Sequence, residues 1–132
     1  MTDAIAANNP LSTIARIERA LSGLRVPATP GEYDLHKMIA DALTQHNVEF
    51  FHEVTLMPRC RIDFVVDGVG IEVKKGKVSP RMLKTQAARY LASEKLCALM
   101  LITTRGASLP GIMGGKPVKV FGLNRLWGVS LS

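Results

Sequence analysis

Residues 61–77, RIDFVVDGVGIEVKKGK, alternate apolar and polar positions in two short runs either side of Asp67-Gly68. Alternation with a period of two predicts half-buried strands. Asp-Gly between two such runs predicts a hairpin, because a type I′ turn needs positive φ at both central residues. With Asp67 and Gly68 at the turn, Val66 pairs with Val69, and Asp63 stands opposite Glu72 in a non-hydrogen-bonded pair, where Cα atoms approach to about 4.5 Å. The same period places Ile62, Phe64, Val66, Ile71 and Val73 on one face and Lys74 beside Glu72 on the other.

Helical spacing appears elsewhere. Asn9-Pro10 reads as an N-cap with proline at the first helical position, followed by Ile14, Ile17, Leu21 and Leu24 on one stripe. That stripe either covers the sheet or meets a second subunit. A proline-rich connector over 26–30 leads into a second helix that opens at Thr29-Pro30-Gly31-Glu32 and carries Leu35, Ile39, Ala42 and Leu43 on one side. A strand is expected over 48–56, and Ser79-Pro80 starts a third helix expected to run to about Lys95. A buried strand over 96–103, a loop over 106–117 with Gly106, Pro110, Gly111, Gly114, Gly115 and Pro117, and a strand over 118–126 ending near Trp127 complete the chain. This order predicts an α/β fold with a mixed β-sheet: an antiparallel meander, then a helical crossover to further strands.

Length and charge narrow the picture. A chain of 132 residues holds one main unit, here 29–132, preceded by an N-terminal helical extension over 1–28. No apolar run approaches the roughly 20 residues of a membrane span. The start MTDAIAANNP lacks a secretory pattern, so the expected compartment is the cytoplasm, with Cys60 and Cys97 as reduced thiols. The formal charge is +6. Much of it falls in residues 74–95, where Lys74, Lys75, Lys77, Arg81, Lys84, Arg89 and Lys95 face the single acid Glu94. Such a cluster points to a polyanion, and Lys75, Lys77, Arg81, Lys84 and Arg89 are the candidate phosphate contacts.

The facing carboxylates of Asp63 and Glu72 would repel, and a divalent cation removes that conflict. Oxygen ligands from Asp63, Glu72 and the Val73 carbonyl suit Mg²⁺ or Mn²⁺, and Lys74 on the same face can orient or deprotonate a water. The plainer alternative is that these residues form the solvated face of an amphipathic hairpin, with Lys74 paired to either acid. His36, His46 and His52 have no ligand spacing in sequence, so none is expected to bind metal. Gly111 to Pro117 faintly matches a phosphate loop but has proline where Ser or Thr should stand, so it reads as a mobile flap rather than a nucleotide site.

Asp63 followed by Glu72-Val73-Lys74 resembles the core motif of the PD-(D/E)xK nuclease superfamily, with Ile62 in place of the name-giving proline. Gln86-Ala87-Ala88-Arg89-Tyr90 is similar to the Q-x-x-x-Y motif of its RecB-like and lambda-exonuclease-like branch. The resemblance spans roughly residues 30–126. It implies a restriction-endonuclease-like three-layer core and a metal-dependent deoxyribonuclease of recombination, repair or phage DNA processing. It further implies that Gln86 helps to hold the active site, that Tyr90 contacts DNA, and that Glu32 assists metal binding. Thr29-x-x-Glu32 is equally a capping box. The small basic format is also similar to archaeal Holliday-junction resolvases, which act as homodimers. A module that only binds nucleic acid, and an RNase, are the remaining alternatives.

Overall fold

The computed structural model describes residues 9–26 and 32–123, with the side chains of Glu32 and Tyr33 outside that description. Asn9 caps helix α1 (Pro10–Leu21) by accepting from Leu11 N at 3.0 Å. Helix α2 (Glu32–Gln45) ends in a Schellman motif: Asn47, at φ 60°, donates to Thr44 O, and Val48 N donates to Leu43 O at 2.9 Å. This cap accounts for one departure from expectation. Val48 is used to close the helix, so β1 is Phe51–Met57 and does not begin at residue 48.

Strands β2 (Cys60–Val66) and β3 (Val69–Lys74) form the expected hairpin. Asp67 and Gly68 have φ 46° and 82°, and the register runs Val66↔Val69, Val65↔Gly70, Phe64↔Ile71. Helix α3 (Pro80–Leu91) is capped by Ser79, whose hydroxyl accepts from Met82 N. It stops four residues short of the expected Lys95. Lys116 Nζ donates to the carbonyls of Leu91 at 2.8 Å and Ser93 at 3.0 Å, supplying partners for helix-end carbonyls from a distant strand.

Strand β4 (Ala98–Thr103) follows, then a short hairpin of β5 (Ile112–Met113) and β6 (Lys116–Gly122). The glycine-rich segment is therefore partly sheet. Gly114 and Gly115, at φ 58° and 79°, form its two-residue turn, and Val118 N donates to Gly111 O, so this end is tied down rather than a free flap. The last strand begins before residue 118 and is described to Gly122; residues 124–126 and Trp127 lie outside the described residues.

The six strands form one mixed sheet in the order β1-β2-β3-β4-β6-β5, parallel at β3–β4 and β4–β6 and antiparallel elsewhere. One face carries Phe64, Val66, Ile71, Val73, Met100 and Ile102, which pack with Ile14, Ile17 and Leu21 of α1 and Leu35, Ile39 and Leu43 of α2. The α1 stripe thus covers the sheet, within the same core as α2. The opposite face packs Ile62, Leu96 and Leu99 against Ala87, Tyr90 and Leu91 of α3. Among the described residues no helix is long and apolar enough to cross a membrane.

Ile62 departs from the expected alternation, packing on the α3 face while Phe64 and Val66 pack on the other. The cause sits between them. The paired register stops at Phe64↔Ile71, and the next inward backbone donor, Val73 N, is taken by Asp63 Oδ2 at 2.8 Å. A side chain has replaced a backbone acceptor in the ladder, and β2 turns over at that point.

Candidate active site

The hairpin brings Asp63, Glu72 and Lys74 together where β2 and β3 part. Lys74 Nζ stands 3.3 Å from Glu72 Oε2, and Asp63 is held at the strand junction by its bond from Val73 N. Lys74 thus pairs with Glu72, and the Asp63 carboxylate is close enough to raise the Glu72 pKa, although the paired register ends at Phe64↔Ile71, short of a direct Asp63–Glu72 pair. The structure departs from the solvated-face alternative in one respect: Glu72 is 8% exposed.

Burying a carboxylate raises its pKa unless partners compensate. Glu72 is pushed up to about 7, first by burial and then by the Asp63 carboxylate, with Lys74 and the nearby Tyr90 hydroxyl acting the other way. Glu72 Oε1 has no hydrogen-bond partner. An unpaired buried carboxylate oxygen, beside a second carboxylate, is an arrangement that a cation stabilises.

Tyr90 and Gln86 lie one turn apart on α3, and Gln86 Nε2 donates to Tyr90 Oη at 2.9 Å. Tyr90 is 4% exposed, so the side chain expected to touch DNA is buried beneath the site. Its phenol is pushed above its ordinary pKa, first by burial and then by Glu72. Its hydroxyl donates to the Arg61 carbonyl at 3.4 Å and stands close enough to Glu72 to lower that group's pKa.

Of the basic residues, Arg81 and Arg89 line one groove with Lys74, Met82 and Gln86, and Lys77 lines a neighbouring one with Pro80 and Ser108. Arg89 Nη2 also donates to the Arg59 carbonyl at 3.2 Å. Lys75 and Lys84 are exposed and line neither groove. The Glu32 side chain, expected to assist metal binding, lies outside the described residues.

Sequence reasoning missed the histidines. His36 on α2 places its buried Nε2, which has no hydrogen-bond partner, 3.6 Å from Asp63 Oδ2, while its Nδ1 stands 3.2 Å from His52 Nε2 on β1. His36, His52 and Glu53 each offer a ligand atom within 4.8 Å of the others. Sixteen residues separate the two histidines, so no spacing motif announces them. The available signal was weaker: a histidine on the helix before the sheet and another on the strand beside Asp63.

No family model, curated protein or solved structure matches the chain, and the site is read from its own geometry.

Proposed function

We propose that the chain is a metal-dependent deoxyribonuclease of the PD-(D/E)xK type, with a restriction-endonuclease-like core. The observation that carries this reading is the pair of carboxylates on adjacent strands, Glu72 buried and Asp63 partly so, with Lys74 Nζ 3.3 Å from Glu72 Oε2 and Glu72 Oε1 unpaired among the described residues. Asp63, Glu72 and the Val73 carbonyl would hold Mg²⁺ or Mn²⁺, which supplies charge neutralisation and Lewis acidity toward a phosphate. The chain's own groups do the rest. Lys74 orients the attacking water and offsets charge building on the phosphoryl oxygens. The Tyr90 hydroxyl opposes the burial that raises the Glu72 pKa, and Gln86 Nε2 fixes that hydroxyl. Arg81 and Arg89, in the groove that Lys74 also lines, bind backbone phosphates with the strong salt dependence of such contacts.

The apolar stripe of α1 is buried in the chain's own core rather than left for a second subunit, which supports the end- or structure-directed reading over a resolvase-type dimer built on that helix.

The test is incubation of the purified protein with linear, single-stranded, flapped and four-way-junction DNA, and with RNA, in Mg²⁺, Mn²⁺ or EDTA. Metal-dependent cleavage should fall by about 10²–10⁴-fold in Lys74→Ala, the scale of a lost proton-transfer or charge-stabilising group, and at least as far in Asp63→Ala. No cleavage of any substrate, with nucleic-acid binding unchanged in both variants, would overturn the nuclease reading and leave a binding module.

A further inference from the structure

The imidazole cluster beside the carboxylate centre has a geometry that nuclease chemistry does not require. His52 and Glu53 are consecutive in β1, and regular alternation would send their side chains to opposite faces. Glu53 instead has φ 56°, a backbone conformation uncommon for a residue with a side chain, and a carboxylate oxygen of Glu53 and one ring nitrogen from each of His36 and His52 lie within 4.8 Å of one another. Both imidazoles are braced by one buried ring. His52 stacks on Phe64 at a centroid distance of 4.7 Å and 28°, and His36 lies against Phe64 at 5.6 Å.

We propose that His36 Nδ1, His52 Nε2 and a Glu53 carboxylate oxygen form a binding site for a borderline transition metal of the Zn²⁺ class, separate from the carboxylate centre. Two ligand atoms of a tetrahedral ion with bonds of about 2.0–2.1 Å stand about 3.3 Å apart. His36 Nδ1 and His52 Nε2 are already 3.2 Å apart. Glu53 has further to come. It is exposed and, among the described residues, paired with Arg61 alone at 4.0 Å, a contact that solvent screens, so the side chain can close on an ion. Two imidazoles and one carboxylate favour Zn²⁺ or Co²⁺ over Mg²⁺, and three protein ligands leave a fourth position for water.

The far side of His36 supports the same assignment. With Nδ1 on a metal, the ring's remaining proton is on Nε2, which faces Asp63 Oδ2 at 3.6 Å. A ligating imidazole that turns its other N–H toward a carboxylate is the usual outer-shell arrangement of zinc sites. A simple hydrogen bond between the two imidazoles would explain the 3.2 Å contact, and the turned backbone at Glu53 lies opposite the point where β2 turns over, but neither accounts for a carboxylate standing beside both rings.

The experiment is titration of the full-length, metal-stripped protein with Zn²⁺ by calorimetry and with Co²⁺ by visible absorption, for the wild type, His52→Gln, Glu53→Gln and Glu72→Gln. Circular dichroism confirms that each variant is folded; His52 and Glu53 are exposed, and their replacement leaves the core untouched. The wild type should bind one ion with imidazole-type Co²⁺ bands, weakened at least tenfold in His52→Gln and Glu53→Gln and retained in Glu72→Gln. Absence of Zn²⁺ binding by the wild type, or binding that survives His52→Gln and Glu53→Gln but is lost in Glu72→Gln, would overturn the proposal. Because Glu72→Gln disables the proposed nuclease centre, the two readings stand or fall separately.

Discussion

Along β3, Val69, Ile71 and Val73 pack toward α1 and α2, whereas Gly70, Glu72 and Lys74 lie on the side of α3. The first set enters an apolar core closed by two helices. The second meets a single 12-residue helix whose contribution near Glu72 is the hydroxyl of Tyr90. Both faces exclude water, but one does so with groups that lose nothing in being desolvated and the other with a carboxylate that loses a great deal. The chemistry of the strand is therefore concentrated on the face with less cover.

The comparison breaks most severely if the dry face is emptied. Phe64 is fully buried, packs with the α1–α2 core and also braces His36 and His52. Phe64→Ala should cost about 3–5 kcal/mol, the range for deleting a buried aromatic ring, measured as a shift in the urea midpoint. A loss below about 1 kcal/mol would mean that this face is not the principal core.

The wet face is sharpened by pH. Glu72 has its pKa raised in the folded chain to about 7 from an ordinary 4.5, so the native state holds a proton there that the unfolded chain has released. Stability contributed by this group is therefore present below about pH 4.5 and lost as pH rises toward 7. A shift of that size corresponds to up to about 3 kcal/mol. Comparing the wild type with Glu72→Gln in EDTA isolates the group, since other titrations are common to both chains. The wild type should lose stability relative to the variant between pH 4.5 and 7, and Mg²⁺ at pH 8 should restore part of the loss in the wild type alone. Parallel pH curves would show that Glu72 is not held in a desolvated site.

How far the fold could be read in advance depended on whether its determinants were local. The Asp67-Gly68 hairpin and the helix starts at Asn9 and Ser79 are set by residues within one turn of the feature, and all three form where the sequence places them. The end of α3 at Leu91 is set by Lys116, 25 residues away, and nothing near Leu91 announces it. Ile62 changes face because the Asp63 side chain displaces a backbone acceptor, an event invisible to a rule based on alternation. Gly114-Gly115 did carry a hairpin signal, obscured by the surrounding glycine and proline. At the site, Asp63, Glu72 and Lys74 were legible because one hairpin register relates them. The pairing of His36 with His52 was not, because it depends on how α2 lies across β1, which no short spacing encodes.

The smallest effect probes how the wet face is kept usable. The Tyr90 hydroxyl opposes the burial and Asp63 repulsion that push the Glu72 carboxyl up. Tyr90→Phe keeps the ring and its packing while removing the hydroxyl, leaving Gln86 Nε2 to find water at its partly exposed position. Stability should fall by about 1 kcal/mol, the net worth of one hydrogen bond. The more informative change is in direction. Without the donor, Glu72 should hold its proton to higher pH, moving both the stability loss and the rising limb of any metal-dependent cleavage upward in pH. A uniform drop in rate with an unmoved pH profile would assign Tyr90 to packing alone, and the two faces of β3 would then differ only in which residues they bury, not in how their charge is controlled.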